Sequence, residues 1–453
     1  MSRFNGRLGG VIAILFVANG CTSLPLQQGR SNVDALVQSR AAAGIAIASL
    51  PDAQLTTWLG APLTLEQAQQ IALLRNPALR SHYARLGLSA ADVFEAGRLQ
   101  NPSLSLSWLL PMGAAEGGKV GASLMSSFAD LLLRHARQRI AAAEFAGLQE
   151  QVASATLDVL ADAQRAWFDC VAANQRVAVR RSIADAAGVA ADLARQYNIA
   201  GNISALELQM QRAEASQARI ALHEAQMVQA DARARMQQAL GLSASQSSWT
   251  VPEAMPELPS TPLPAAASLV ARVLDQRLDI SAARRHVSAL EQQRDATRRH
   301  RMLADSRAGV AFDREADGAR RLGPSVELAL PLFHQGQGAV ARAEAGLEAA
   351  RAARDELEIA AQAELTRHLS RLALAREQAQ AYRDGLIPAR EAVVARLTEQ
   401  ANFMLVDTFA VLLARQQEYA AYAGYVDAQL NFWNAQVNVL QALGSQRGLE
   451  ESR

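Results

Sequence analysis

The chain has 453 residues, half of them hydrophobic, and 45 Lys and Arg stand against 44 Asp and Glu for a formal net charge of +1. That balance gives no electrostatic reason to expect DNA or RNA as a partner, and two cysteines can neither frame a disulfide-rich domain nor complete a zinc site alone. Past the first twenty residues the longest uncharged apolar run, Ala41 to Leu50, is half the roughly 18 to 20 residues a membrane helix needs, which excludes a polytopic helical transporter.

At the N-terminus Arg3 and Arg7 precede an apolar stretch, Leu8 to Ala18, and then Asn19-Gly20-Cys21. A basic start, a short apolar run and a small residue before the break predict a secretory signal peptide over residues 1–20. Cys21 resembles the lipidated cysteine of bacterial lipoproteins, although Ala18 and Asn19 depart from the usual pattern; ordinary cleavage nearby is the alternative. Thr22 follows where an inner-membrane lipoprotein would carry Asp, so residues 21–62 read as a lipid-anchored segment at the outer membrane.

Ala68 to Val93 has helical periodicity. Ser103 to Trp108 then alternate strictly between Ser and apolar residues, and Val120 to Phe128 follow a Gly-rich loop, which predicts strands at about 101–110 and 119–128. From Pro111 to Pro252 there is no proline, and Ala129 to Tyr197 predict one helix of about 100 Å. Its seam is Val152, Thr156, Val159, Ala163, Ala166, Cys170, Ala173 and Val177, in steps of four and three, so Cys170 reads as a buried seam residue. A turn at Gly201 and a shorter helix complete a first repeat, 63–242. Five of the fourteen prolines crowd into 252–264, marking a linker over 243–265 that divides the chain.

The second half repeats this order at an offset of about 200 residues. Leu269 to Arg298 predict a helix, and strands are expected at about 306–313 and 324–333 around a polar loop, Arg314 to Gly323. A long helix then runs to Met404, and a returning helix carries the seam Leu405, Phe409, Leu412, Gln416, Tyr419, Ala423, Val426, Leu430, Trp433, Val437 and Leu440. The second repeat spans 266–444, with a tail at 445–453.

Strands of about nine to eleven residues are long enough to cross a bilayer when tilted, and their alternation suits a wall between lipid and water. Trp108, Phe128, Phe312 and Phe333 lie near strand ends, where an aromatic girdle belongs. Four strands cannot close a barrel, and an open edge in lipid costs several kcal/mol per unpaired group, so a membrane reading requires several chains to share one barrel. The soluble alternative is a helical rod capped by two hairpins.

Several short motifs, weak singly, become specific in this order. They are Leu63-Thr64-Leu65-Glu66-Gln67-Ala68 leading to Arg75-Asn76-Pro77-Ala78-Leu79, Asn101-Pro102-Ser103-Leu104, Leu330-Pro331-Leu332-Phe333, and Tyr197 with Gly201 at the first helical turn. With them the chain resembles the TolC-like outer-membrane factors of tripartite efflux and export systems from Leu63 to Gly444. The resemblance implies a mostly α fold in which duplicated long helical hairpins build a periplasmic α-barrel. It also implies a homotrimer in which four strands per chain complete a 12-stranded outer-membrane β-barrel. The implied partners are a periplasmic adaptor (membrane fusion protein), an inner-membrane pump of the RND type and outer-membrane lipid. Gln335-Gly336-Gln337-Gly338 and Leu412 to Tyr419 look like the CzcC-like branch associated with heavy-metal cations. Drugs or secreted proteins stay open as cargo, and a periplasmic structural or adaptor protein is the alternative of another class.

The same resemblance assigns the helical tips, Ile199, Gly201, Asn202, Ile203 and Ser204 with Phe403, Met404, Leu405 and Val406, to adaptor docking. It implies acidic residues near the second turn that narrow the pore; aligned on Val411-Leu412, those positions hold Ala410 and Leu413 here. Asp407 is the nearest substitute, either a charged ring or a helix cap, with Phe409 and Leu413 as an apolar constriction.

No catalytic residue or cofactor is expected. Gly113 to Lys119 fits GxxxxGK but has Val120 where a P-loop needs Ser or Thr, and it joins two strands. Gly336 to Ala341 fits GxGxxA, yet Asp355 and Glu356 fall within a continuing helix. The seven histidines are scattered without metal-ligand spacing. Arg314, Asp317, Arg320 and Arg321 read as a solvated loop, and Lys119 and Arg134 as candidate contacts to lipid headgroups.

Overall fold

The computed structural model describes residues 29–42, 50–110, 118–262, 264, 266–301, 306–315, 317–328, 332–333 and 335–447, without the side chains of residues 128–132. The signal peptide, Cys21, the loop at Gly113 and the Phe128 ring lie outside the described residues.

Two short helices, α1 (Arg30–Gln38) and α2 (Asp52–Leu59), lead into the first repeat. There α3 (Leu65–Arg75) and α4 (Pro77–Ala96) precede β1 (Ser103–Leu109) and β2 (Lys119–Ser127). The 72-residue α5 (Phe128–Ile199) then runs to the first tip, and α6 (Ala205–Leu240) returns. The second repeat has α7 (Ala266–Gln276), α8 (Leu278–His300), β3 (Arg307–Arg314), β4 (Arg320–Glu327), α9 (Gln337–Gln380), α10 (Ile387–Asn402) and α11 (Thr408–Ala442).

The α5 seam is buried as expected, with only Val159 half-buried, because Ala, Val and Cys at these positions let neighbouring backbones approach closely. Burial pushes the Cys170 thiol up to about 11, so it is an inert packing residue. The largest core lies where α5, α6 and α11 meet the segment between the repeats. Trp167, Phe168 and Trp249 are buried there, Phe168 stacks on Trp433 at 5.1 Å, and Trp167 Nε1 donates to the Leu63 carbonyl at 2.8 Å.

Both helices expected ahead of the hairpins are divided. Asn76 ends α3 and caps α4, its Oδ1 accepting from Ala78 N at 2.8 Å, with Pro77 at the first helical position. In the second repeat the break falls at Arg277, whose guanidinium binds Asp279 at 2.7 and 3.0 Å and Glu364 at 3.2 Å. The duplication extends to the glycine that closes each repeat. Gly241 (φ +67°) follows α6 and presses on Arg75 and Asn76; Gly444 (φ +68°) follows α11 and presses on Gln276 and Arg277. Between α9 and α10 lies one π-helical turn, Ala381–Leu386, just ahead of Pro388. A proline removes one helical hydrogen bond, and the wider turn accommodates that loss without ending the helix.

The strands form one antiparallel sheet in the order β1-β2-β3-β4, so the β2–β3 pairing joins the repeats. They are seven to nine residues long, so β2 meets the nine to eleven expected and the other three fall short of it. The fourth strand also begins earlier than position 324, because half of the polar stretch, Arg314 and Arg320 to Gly323, is strand and not loop. In the reversal between the strands Gly318 takes φ +88° and Asp317 Oδ1 accepts from Ala319 N at 2.9 Å. Pro324 is accommodated because β4 is an edge strand.

Candidate functional site

The register sorts the sheet into two faces. One carries Leu104, Leu106, Trp108, Val120, Ala122, Leu124, Ala308, Val310, Phe312, Leu322, Pro324 and Val326, bounded by Ser126 at the helix end and by Arg314 and Arg320 at the turn end. Leu106 and Leu322 are each 74 % exposed and Trp108 is 75 % exposed, so a continuous apolar face is left uncovered by the chain itself. The other face is predominantly polar or small, with Ser103, Ser105, Ser107, Lys119, Gly121, Ser123, Arg307, Gly309, Asp313, Arg321, Gly323, Ser325 and Glu327, and Leu109, Met125 and Ala311 as its apolar members. Within this sheet β1 and β4 each lack a partner along one edge. Apolar on one side, polar on the other and open at both edges, the sheet has the chemistry of a segment of membrane barrel wall.

Both basic residues expected at lipid headgroups are used inside the chain. Lys119 lies on the polar face and pairs with Glu315 at 3.1 Å, and Arg134 Nε donates to the Gly97 carbonyl at 2.6 Å.

At the far end of the long helices the two tips are built alike. After α5, Asn202 N donates to the Tyr197 carbonyl (2.8 Å) and Gly201 N to the Asn198 carbonyl (3.0 Å), with Gly201 at φ +75°. After α10, Leu405 N donates to Gln400 O (3.0 Å) and Met404 N to Ala401 O (2.9 Å), with Met404 at φ +57°. Both are Schellman closures, and each is followed by a capped helix. Ser204 accepts from Glu207 N at 3.1 Å, and Asp407 accepts from Ala410 N at 2.7 Å.

The tips differ in what they present. Gly201 and Asn202 close the first, with Ile199 78 % exposed beside them and Ile203 half-buried. The second exposes Phe403, Met404 and Leu405, Met404 at 94 %, while Val406 is half-buried. Met404 is the one non-glycine residue at positive φ among the described residues, a conformation that costs an L-residue about 1 kcal/mol or more. Met404→Gly should therefore stabilise the folded protein by about 0.5–1 kcal/mol, read as a raised thermal midpoint. An unchanged or lowered midpoint would show that the turn is not strained.

Of the pore-gate candidates, Leu413 is 56 % exposed and Asp407 is exposed, whereas Phe409 is half-buried with its ring edge-on to Tyr197 at 6.0 Å. Phe409 is thus a joint between the two helical hairpins. Sequence periodicity alone missed the Tyr197–Phe409 contact, because it joins seams 212 residues apart.

Among the described residues no group of three or more His, Cys, Asp and Glu is placed to hold a metal ion, and no helix is long and apolar enough to cross a membrane. Gly336 opens α9 from a left-handed conformation, and Asp355 and Glu356 lie within α9, so the GxGxxA match has no βαβ setting.

No family model matches the chain. In sequence and in fold together, it is similar to the TolC-like outer membrane channels. The cobalt-zinc-cadmium resistance protein CzcC of Cupriavidus metallidurans is 24 % identical over 396 residues, covering 84 % of this chain and 87 % of that protein. Among solved structures, the Campylobacter jejuni CmeC outer membrane channel superposes with a TM-score of 0.72 at 16 % identity, over 84 % of this chain and 86 % of that one. The outer membrane protein VceC of Vibrio cholerae gives 0.68 at 16 % identity, over 85 % and 96 %.

Proposed function

We propose that this chain is the outer-membrane exit duct of an efflux system, a passive conduit that performs no catalysis. The observation that carries the reading is the two-faced sheet, too small to close alone, set on duplicated helical hairpins far longer than any globular core requires. Its edges are satisfied if β1 of one protomer pairs with β4 of the next, and three copies make a 12-stranded wall continued by a helical tunnel. Cys21 would anchor the mature chain in the outer membrane through a lipid. A periplasmic adaptor and an inner-membrane RND-type pump would supply selection and energy.

The tips are the docking ends of this duct. Backbone strain at an almost fully exposed Met404 supports that role, since strain persists where a function holds it. Asp407 and Leu413 are the gate: three Asp407 copies around the axis make a ring favouring cations, and Leu413, about 9 Å further along the same helix, adds an apolar constriction. Single-channel recording of the purified protein tests the ring. Asp407→Asn keeps the helix cap and removes only the charge, so cation preference should fall several-fold with little change in assembly. Unchanged selectivity would leave Asp407 as a cap alone.

The likeness to CzcC favours heavy-metal cations as cargo. A bacterial strain deleted for this chain should retain more cobalt, zinc and cadmium than its parent after loading, with reversal on complementation. Equal retention of all three would remove metal as the cargo.

A further inference from the structure

We propose that the Met404 thioether is an oxidation switch at the second helical tip, converted by hypochlorous acid or hydrogen peroxide to a sulfoxide that cannot dock. The proposal rests on reading the tips as docking ends. Both tips are closed by the same Schellman turn, and they differ in the residue at its left-handed position. Gly201 adopts φ +75° without a Cβ, whereas Met404 adopts φ +57° and bears the steric cost of one. Its side chain is 94 % exposed, so packing within the chain does not explain the choice. A glycine would close this turn without strain. The methionine is held there for what its sulfur meets outside the chain.

Methionine is an adaptable apolar contact whose sulfur also undergoes reversible two-electron oxidation, which Leu and Phe do not. Phe403 and Leu405 flank it, 72 % and 73 % exposed, so a sulfoxide oxygen would place a strong acceptor in the middle of an apolar patch. Against an apolar partner surface that oxygen loses its water without gaining a donor, which opposes docking. The other described methionines are less accessible. Met125, Met236 and Met255 are buried, and Met210 and Met227 are 62 % and 63 % exposed on the flank of α6, outside either turn. In the forward step the sulfur loses two electrons and gains one oxygen. Hypochlorous acid is reduced to chloride with release of a proton, or hydrogen peroxide is reduced to water. In the return step a methionine sulfoxide reductase removes the oxygen as water, and its pair of thiols becomes a disulfide. On the docking reading the tip lies in the periplasm, a compartment kept oxidising.

The test follows the full-length protein in cell envelopes solubilised in mild detergent. Native electrophoresis reads the size of its complex, and peptide mass mapping reads oxidation at each methionine. Untreated wild type should run as an assembly larger than the purified protein alone. A low dose of hypochlorous acid, given during synthesis before the tips dock, should oxidise Met404 at least tenfold faster than Met236 and Met255. The large assembly should then fall about tenfold. Met404→Leu, apolar and inert to the oxidant, should keep that assembly under the same dose. Met404→Gln, polar from the start, should lack it without oxidant. Loss in wild type and Met404→Leu alike would overturn the switch, as would a large assembly that persists with Met404 oxidised or with Met404→Gln. Oxidation of Met404 no faster than of the buried methionines would overturn it too. Should Met404→Leu fail to assemble, oxidised wild-type envelopes treated with methionine sulfoxide reductase decide: return of the large assembly supports the switch, and its absence overturns it. A wild-type chain that forms no large assembly even without oxidant would defeat the docking reading itself.

Discussion

Leu106→Arg should abolish membrane assembly, whereas Ser105→Arg, one residue away, should be tolerated. The two side chains lie on opposite faces of the same strand, Leu106 in the middle of the apolar face and Ser105 on the polar one. An arginine facing lipid near mid-bilayer costs about 2–4 kcal/mol per chain, and a barrel made of several chains meets that cost once in each. On the polar face the guanidinium meets water and costs little. The readout is the amount of protein resisting urea extraction from outer-membrane fractions, expected to fall at least tenfold for Leu106→Arg. Equal loss for both variants would mean that the faces are not lipid and water.

The second large effect is expected at the glycine that closes the first repeat. A Cβ at Gly241 would meet the Arg75 carbonyl oxygen at 2.6 Å and the Asn76 Cα at 3.0 Å, both backbone, from a left-handed conformation. Gly241→Ala should therefore destabilise the protein by about 2–4 kcal/mol, since the α3–α4 break and the end of α6 cannot both keep their places. At Gly444 the corresponding contact is 3.2 Å from the Arg277 Cα, so Gly444→Ala should cost about half as much. Thermal midpoints of the two variants check this. A smaller loss at Gly241 than at Gly444 would contradict the crowding at the first break.

Much of this architecture was legible in the sequence because it rests on periodicity. The α5 seam from Val152 to Val177 and the Ser-apolar alternation of β1 each announce their element and their buried or apolar face. Punctuation was legible where its chemistry is special. Asn76-Pro77 has the chemistry of a capped restart, yet helical periodicity from Ala68 to Val93 reads straight through it; the equivalent Arg277 is an ordinary helix former whose break is held by ion pairs from Asp279 and Glu364. Gly201 marked a turn, while Met404 adopts the same conformation without a glycine to signal it. The start of β4 was hidden because its charged residues resemble a loop. Their placement beside Trp108 follows only from cross-strand register, which local sequence does not carry.

The most direct test of the central claim is the mass of the complex extracted from the outer membrane in mild detergent. A chain that supplies one four-stranded segment of a shared wall must assemble, and three mature chains, each of 48.5 kDa less its signal peptide, should appear as one species by native mass spectrometry. A monomer that stays stably inserted in the membrane would contradict the account, because its open strand edges would have no partner in lipid.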